Sequence, residues 1–376
     1  MPYTVIYITV LAIFICVGLL IKVKNIFPLL VILDFIISIP AYFVHSLPGA
    51  FADMDRFNLL LDQMRLYNEG NLSNGLSWAL NQSYYSEEKG SALYIWIYSL
   101  FKNNGFLRLG TTFLFLVLLS FLIVRFQKDA NISNVNAIIG QFLFLLVFNL
   151  FYEISGIRNF LAFMIMSVGL YYDLNDENKK TKVICFLAYY LAYSIHSSML
   201  PIIIIRILLL FKNRIAKFII SFLILTYNVF LTPLLSVFNQ LGLVFFVEKA
   251  NYYIESQSQN ESFTSTIELG LTSFIFLLLI ICYILYVRNY KRYLLVKYNR
   301  FYYYIILYII GSIGVSQVYL RTIFFLLFLS MPYILVMLSN KITNNYIKLY
   351  SLCFKISAFL IFLGWSYISY NNVLVY

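Results

Sequence analysis

Charged residues are scarce in this chain. Only 11% of its 376 residues are Asp, Glu, Lys or Arg, whereas 62% are hydrophobic, and 36 Phe and 33 Tyr contribute to that excess. A soluble domain of this size could not bury so much apolar surface away from water. The composition therefore excludes an ordinary soluble protein and indicates a polytopic integral membrane protein.

Cysteine clusters and glycine-rich phosphate loops are also lacking. The four cysteines, Cys16, Cys185, Cys282 and Cys353, are far apart and lie in or beside apolar runs. Neither a zinc knuckle nor a disulfide framework is supported by that spacing. No Rossmann-like segment and no glycine loop that would cradle a phosphate is found. We therefore expect no metal, no cofactor and no soluble domain for a nucleotide sugar.

The basic residues do not form a single patch. The formal net charge of +11 would by itself suggest a nucleic-acid partner. The Lys and Arg residues, however, lie in short gaps between apolar runs, which is the pattern of cytoplasmic loops in membrane proteins. We therefore expect membrane lipid, and no nucleic acid, as a partner. The first apolar run lacks a basic start and a small-residue cleavage site, so we expect it to be retained.

Apolar runs long enough to cross a bilayer, roughly 17 to 25 residues, recur along the chain. Nine of them are clear, and three shorter ones between 181 and 232 are less well separated. The clear runs lie at about 3–21, 25–44, 105–124, 134–152, 157–172, 267–287, 301–317, 320–338 and 350–370, and the short ones at about 182–195, 198–212 and 215–232. The predicted fold is all-α: a single polytopic domain over 1–376 with about twelve transmembrane helices.

The distribution of charge predicts which side each loop faces. Lys and Arg collect in cytoplasmic loops, and here they outnumber the acidic residues on one side only. Both termini and two long connections, at about 45–104 and 233–266, are therefore expected outside. The aromatic stretch 93–101 is too short to span and is expected to form an interfacial or re-entrant helix. The polar segment 256–265 is expected to form a loop or a mobile lid.

Two arginines lie on the outer side, against the general bias. Arg158 and Arg321 each stand near the start of a predicted span that descends from the outer face. A guanidinium at the positive end of a helix dipole suits an anion, and its planar fork binds phosphate in a bidentate manner. Each arginine could instead extend to lipid headgroups or pair with Glu153. Two such residues together favour an anion-binding site.

His196 lies at the outer turn between two short spans. An imidazole has an unperturbed pKa of about 6.5, so it could accept a proton from an attacking hydroxyl. It could equally be a packed histidine, followed by two serines that cap the next helix.

Three carboxylates are further candidates. Asp53 and Asp55 open the first outer loop, where they could orient hydroxyls, pair with the outer arginines or bind a divalent ion, although so short a spacing is a weak metal signal. They could also be part of a solvated turn or helix cap. Asp34 falls inside a predicted span, where a carboxylate is costly. It could pack helices together or belong to a transport path.

These segments resemble the EpsG-like branch of the Wzy polysaccharide polymerases. The shared motifs cover most of the chain in order and spacing. They are Arg158-Asn159-Phe160-Leu161-Ala162, then Ala192 to Ser198 around His196, Ala52 to Phe57, and Arg321 followed by Phe324, Phe325, Met331 and Pro332. Asn159 departs from the glutamine that is usual in the first motif. Lys89-Gly90-Ser91 replaces an acidic-Pro pair.

The resemblance implies a polymerase in the bacterial cytoplasmic membrane with its active site facing outward. It would join oligosaccharide repeat units carried on undecaprenyl pyrophosphate by moving the growing chain onto a new lipid-linked unit. A flippase and a chain-length regulator would be its possible protein partners. The expected catalytic residues are His196, Asp53 and Asp55. The expected substrate-binding residues are Arg158, Arg321, Asn159 and Arg56.

Two other functions stay open. A flippase or exporter of the same lipid-linked oligosaccharide predicts charged or helix-breaking residues in mid-span, near an alternating-access site. Asp34 is the clear acidic candidate for such a site, whereas the other notable polar residues cluster at one face. A membrane acyltransferase would have to reach a cytoplasmic acyl donor. The short basic inner loops offer no acidic or histidine site for it.

Overall fold

The computed structural model describes residues 3–20, 24–46, 52–82, 88–240, 247–248, 251, 263–289, 296–339, 345–368 and 373–375. The helices up to residue 175 are α1 (Tyr3–Leu20), α2 (Phe27–Tyr42), α3 (Ala52–Asn68), α4 (Leu72–Leu80), α5 (Lys89–Ser99), α6 (Gly105–Asp129), α7 (Asn134–Val147), α8 (Leu150–Ser155) and α9 (Ile157–Asn175). The later helices are α10 (Lys179–Ile195), α11 (Met199–Leu208), α12 (Arg214–Gln240), α13 (Phe263–Asn289), α14 (Val296–Gly311), α15 (Ser316–Leu338) and α16 (Asn345–Ile368). Two three-residue strands, β1 (Val44–Ser46) and β2 (Val373–Val375), pair antiparallel. The predicted helical class is confirmed.

Five helices in the described part of the chain are long and apolar enough to cross a membrane. They are α6, α12, α13, α15 and α16, and shorter apolar helices are formed by α1, α2, α7 and α11. The protein is therefore a membrane-embedded helical protein. The predicted number of about twelve spans is not confirmed.

Two of the predicted spans are interrupted for local reasons. The run 134–152 breaks after α7, because the side chain of Asn149 accepts a hydrogen bond from Phe151 N at 3.2 Å and starts α8. An asparagine that caps amides in this way favours a new helix start over continuation. The run 301–317 breaks where α14 ends at Gly311. An unbroken apolar run in the sequence is therefore not always one helix.

The chain divides into two compact units. The first comprises Met1–Leu200 and Met331–Tyr376, and the second comprises Pro201–Ser330. In the first unit α2 packs on α6, α9 on α10, and α16 on α7; in the second unit α12 packs on α14. The single polytopic domain expected over 1–376 stays a prediction.

A buried polar cluster joins α2, α6 and α7. Asp34 accepts hydrogen bonds from Ser120 Oγ and from Gln141 Nε2, each at 2.6 Å, and all three residues have 0% exposure. Because an unpaired polar group is costly in an apolar interior, such bonds hold neighbouring helices together. These contacts support the helix-packing interpretation of Asp34.

The connection 45–104 contains more helix than the sequence predicted. Helices α3, α4 and α5 share a small apolar core, and we call them the α3–α5 layer. Four buried residues of α3, Phe57, Leu60, Leu61 and Met64, recur at the i, i+3, i+4, i+7 spacing of an amphipathic helix. Burying each such side chain contributes roughly 1.5 to 3 kcal/mol. The layer thereby fixes where α5 begins.

The second long connection is only partly described. Most of the segment 256–265, for which a loop or mobile lid is predicted, lies outside the described residues. Its last three residues belong to α13, which begins at Phe263. That helix starts earlier than the apolar run at 267–287 predicted.

Candidate functional site

Helices α9 and α10 bring two sequence motifs to one end of the first unit. They pack on each other and are joined by the short connection 176–178, and they have similar lengths of 19 and 17 residues. Consecutive helices joined by a short connection run antiparallel. The start of α9, with Arg158 and Asn159, therefore lies beside the end of α10, where His196 follows Ile195.

A buried ion pair attaches Arg158 to the residue before α5. Glu88 Oε2 lies 2.6 Å from Arg158 Nη1, and the two side chains are only 1% and 4% exposed. Removing two charges from water costs several kcal/mol for each ion unless good partners replace the water. A desolvated pair at this distance therefore holds the guanidinium in one orientation.

The other oxygen of Glu88 binds the turn that follows α10. Glu88 Oε1 accepts hydrogen bonds from Ser197 N at 2.9 Å and from Ser197 Oγ at 2.8 Å. One carboxylate thus connects the first turn of α9 with the turn that carries His196. We call Glu88, Arg158 and Ser197 the Glu88 cluster.

A glycine allows α5 to approach α10 closely enough for these bonds. Gly90 lies in the first turn of α5, and a Cβ atom built on it would overlap Ser194 near the end of α10. A residue with a side chain would push the two helices apart. Gly90 is therefore a structural requirement of the Glu88 cluster.

His196 is held by the same turn. It caps the C-terminus of α10, is 5% exposed, and its Nδ1 accepts a hydrogen bond from Ser198 N at 3.2 Å. When Nδ1 of a neutral imidazole accepts, the ring proton is on Nε2. In the neutral form of His196 the proton is therefore on Nε2, and Nδ1 does not serve as a base.

Asn159 completes the contact between α9 and this turn. Its Oδ1 accepts a hydrogen bond from Ser198 Oγ at 3.1 Å, and the residue is 5% exposed. Three of the residues selected from the sequence, Arg158, Asn159 and His196, are therefore gathered around one turn.

The segment Ala52 to Phe57 forms the start of α3 next to Arg158. The Cζ atom of Arg158 lies 5.3 Å from the centroid of the Phe57 ring, and Arg56 Cζ lies 5.5 Å from the same centroid. Both distances are in the range of cation–π contacts. Asp55 and Arg56 are exposed on α3. Asp53 belongs to α3, but its side chain lies outside the described residues.

Glu153 is not the partner that the sequence suggested for Arg158. The ion pair seen for Arg158 is with Glu88, and Glu153 accepts a hydrogen bond from Thr112 Oγ1 at 2.6 Å. Glu153 belongs to α8, outside the candidate spans, and its burial raises the pKa of its carboxyl to about 8. At neutral pH it is therefore mostly uncharged and adds little negative charge near the start of α9.

The position of Arg321 within its helix differs from the predicted one. Helix α15 begins at Ser316, so Arg321 is in its second turn, although the sequence suggested a helix start near 320. Because the field of a helix terminus falls off within the first turn, the dipole argument applies to Arg158 and not to Arg321. Arg321 is half-buried and belongs to the second unit.

Two residues of the site, Glu88 and Ser197, were not among the catalytic or binding residues predicted from the sequence. Glu88 stands directly before Lys89-Gly90-Ser91, the stretch that lacks the acidic-Pro pair. An acidic residue two positions before a glycine at a helix start was the available signal. In the described part of the chain, no group of three or more His, Cys, Asp or Glu side chains could hold a metal ion.

Comparison with known proteins gives one match. A family model described as the EpsG family matches residues 71–376, which is most of the chain. No curated protein and no solved structure matches it. The matched range contains the Glu88 cluster, His196 and Arg321, whereas the segment with Asp53, Asp55 and Arg56 precedes it.

Proposed function

Because the chain belongs to the EpsG family, we propose that it is a polysaccharide polymerase that joins oligosaccharide repeat units carried on undecaprenyl pyrophosphate. It acts at the outer face of the bacterial cytoplasmic membrane and moves the growing chain onto a new lipid-linked unit. Family membership and the apolar helices support the general class. The observation that carries the proposed chemistry is the Glu88 cluster, which orients a buried guanidinium beside a histidine.

The transfer breaks the bond between the sugar anomeric carbon and the pyrophosphate oxygen, and a new bond forms to a hydroxyl oxygen of the acceptor. Negative charge develops on the leaving pyrophosphate, and fixed donors directed at that charge lower the barrier. Arg158 is in the first turn of α9, so the helix dipole adds to its own charge. The contact of Nη1 with Glu88 holds the guanidinium in one orientation.

His196 is proposed to donate a hydrogen bond from its Nε2–H group to an oxygen of the leaving group. This differs from the base function expected from the sequence, because its Nδ1 already accepts from Ser198 N. The proton of the acceptor hydroxyl then goes to a carboxylate at the start of α3, Asp53 or Asp55. The contact of Phe57 with Arg158 supports this assignment, because it places that helix start beside the guanidinium.

The remaining substrate-binding residues are proposed on charge and position. Asn159 orients the turn around Arg158, and Arg56 is exposed next to Phe57. Arg321, in the second unit, is kept as a substrate-binding residue on its charge alone. A flippase that delivers the lipid-linked units and a protein that regulates chain length are proposed as partners. Both would act on the same substrate at the same membrane face.

Reconstitution tests the proposed function. Purified protein in liposomes that contain extracted lipid-linked repeat units should form a ladder of polymers without any nucleotide sugar. Arg158→Ala should abolish the ladder, and Arg158→Lys should restore only part of it, because lysine supplies charge without the bidentate fork. The matched control is Lys180→Ala, which removes an exposed cation at the start of α10. A folded wild-type protein that makes no ladder, or an active Arg158→Ala variant, contradicts the proposal.

A further inference from the structure

A groove lies at the end of α5 opposite to Glu88. It has a volume of about 460 Å³ and is lined by residues of the segment Arg65 to Leu72 and by Ser99 to Lys102. That volume is within the range of small-molecule sites in proteins. Leu72, Phe101 and Lys102 are exposed, so the groove opens to the surface. We call it the α3–α5 groove.

The polar groups of the groove are held in place by other side chains. Arg65 donates to Phe101 O at 2.9 Å and to Asp62 Oδ1 at 2.6 Å. Asn68 Nδ2 donates to Ser99 Oγ at 3.2 Å, and Asn68 Oδ1 accepts from Gly75 N at 3.0 Å. Among the described contacts, these bonds leave Asn68 one N–H and one oxygen lone pair. Groups fixed in this way lose little freedom when a ligand binds.

The charges of the groove favour a neutral ligand. Arg65 is paired with Asp62, and the two other charged residues of the lining, Glu69 and Lys102, have opposite signs. An anion site would present an excess of cations. The groove instead combines a carboxylate, an amide, a hydroxyl and an ammonium group, which suit a ligand whose hydroxyls both donate and accept.

An aromatic ring supplies the apolar side. Phe101 is 45% exposed, and its ring contacts that of Phe106, with 4.9 Å between the ring centroids. The C–H faces of a sugar ring are apolar, so they can pack on an aromatic ring while the hydroxyls bind the polar groups. A saccharide therefore fits both the polar groups and the aromatic ring that line the groove.

Helix α5 sets the distance between the groove and the Glu88 cluster. Its eleven residues at 1.5 Å of rise each give about 16 Å. A saccharide whose pyrophosphate-linked end is near Arg158 would therefore reach the groove with sugars further along the chain, not with the reacting one.

We infer that the α3–α5 groove is a binding subsite for neutral sugar residues of the growing polymer, distal to the reacting anomeric carbon. The inference rests on the proposed function, because it assumes that the saccharide is anchored at Arg158. A saccharide too short to span this distance gains nothing from the groove, whereas a longer donor chain is held by it. The groove therefore favours elongation over the joining of two single units.

Two sets of variants test the groove. Phe101→Ala removes the aromatic ring, and the double variant Glu69→Ala with Lys102→Ala removes two exposed charges without disturbing the net charge. Leu59→Ala and Leu66→Ala are the matched controls, because both residues are exposed on α3 at 59% and 66% and neither lines the groove. The reconstituted ladder and the binding of oligosaccharides released from the host polymer, followed by saturation-transfer NMR, are measured for each.

Groove variants should shift the ladder to shorter chains while the joining of two single units stays near the wild-type rate. Phe101→Ala should weaken oligosaccharide binding about 3- to 10-fold, as expected for the loss of one aromatic contact, and inorganic pyrophosphate should not displace the oligosaccharide. An active wild type with unchanged ladder and binding in both groove variants overturns the subsite alone. Displacement by pyrophosphate overturns it in favour of an anion site. A wild type that makes no ladder contradicts the proposed function instead.

Discussion

Glu88→Ala is expected to abolish polymer formation and to destabilise the protein by about 3 to 5 kcal/mol, because it leaves the charge of Arg158 buried without its partner. The loss follows from a pair whose side chains are 1% and 4% exposed. The same change also removes the acceptor of the Ser197 amide and hydroxyl. Thermal unfolding in detergent and the reconstituted ladder measure the two effects.

A second variant separates folding from function. Replacing both members of a buried pair by apolar residues of similar size is often neutral or stabilising, so Glu88→Leu with Arg158→Met should recover much of the lost stability. Activity should not return, because the guanidinium is absent. Recovery of the ladder together with stability would assign the pair a purely structural function.

An exposed ion pair serves as the control for burial. Arg65 and Asp62 are also 2.6 Å apart, but the Asp62 side chain is 59% exposed. Because exposed pairs contribute only about 0 to 1 kcal/mol, Asp62→Ala should change stability little. Equal destabilisation by Asp62→Ala and Glu88→Ala would contradict the importance given to desolvation.

Replacement of His196 is expected to slow glycosyl transfer by about 10²- to 10³-fold, the usual contribution of one donor directed at developing negative charge. His196→Asn is the informative variant, because its amide oxygen can accept from Ser198 N as Nδ1 does while nothing occupies the position of Nε2. It should fold like the wild type and lose activity. His196→Gln, whose amide nitrogen reaches toward the position of Nε2, should recover part of it.

The rates of these variants are measured from the initial formation of two-unit products. His196→Ala serves as the control that removes both ring nitrogens. A near-wild-type rate in His196→Asn would limit this residue to capping the end of α10. In that case Arg158 would be the remaining donor proposed for the leaving pyrophosphate.

The sequence predicted the part of the site that depends on two consecutive helices. Arg158 and His196 were placed at the same membrane face because each stands at the end of an apolar run, and the structure brings them together through the α9–α10 pair. The lengths of the apolar runs and the charges of the loops were sufficient for that prediction, since consecutive helices with a short connection run antiparallel.

The partner of Arg158 could not be predicted in the same way. Glu88 is 70 residues from Arg158 and 109 residues from Ser197 along the chain, and no local pattern encodes such a pairing. The nearer acid, Glu153, was the natural sequence choice and is instead bonded to Thr112. Packing of the α3–α5 layer decides between them, because it sets where α5 begins.

The predicted number of about twelve spans is not confirmed, for a related reason. Apolar run length predicts where a helix can lie in a membrane, but it does not show breaks such as the one at Asn149. Helices α3 and α4 were not predicted, because only one face of α3 is apolar and a search for long apolar runs passes over such a pattern. Helix α5 overlaps the short helix expected at 93–101.

The proposed function requires that this protein joins lipid-linked units at the outer face and does not move them across the membrane. The most direct measurement is the leaflet exposure of lipid-linked repeat units in cells that lack the protein, probed with an impermeant lectin or glycosidase. The proposed function predicts that single units accumulate and are accessible from outside, because translocation precedes polymerisation. Single units that remain inaccessible on the cytoplasmic side would contradict the polymerase and favour a flippase.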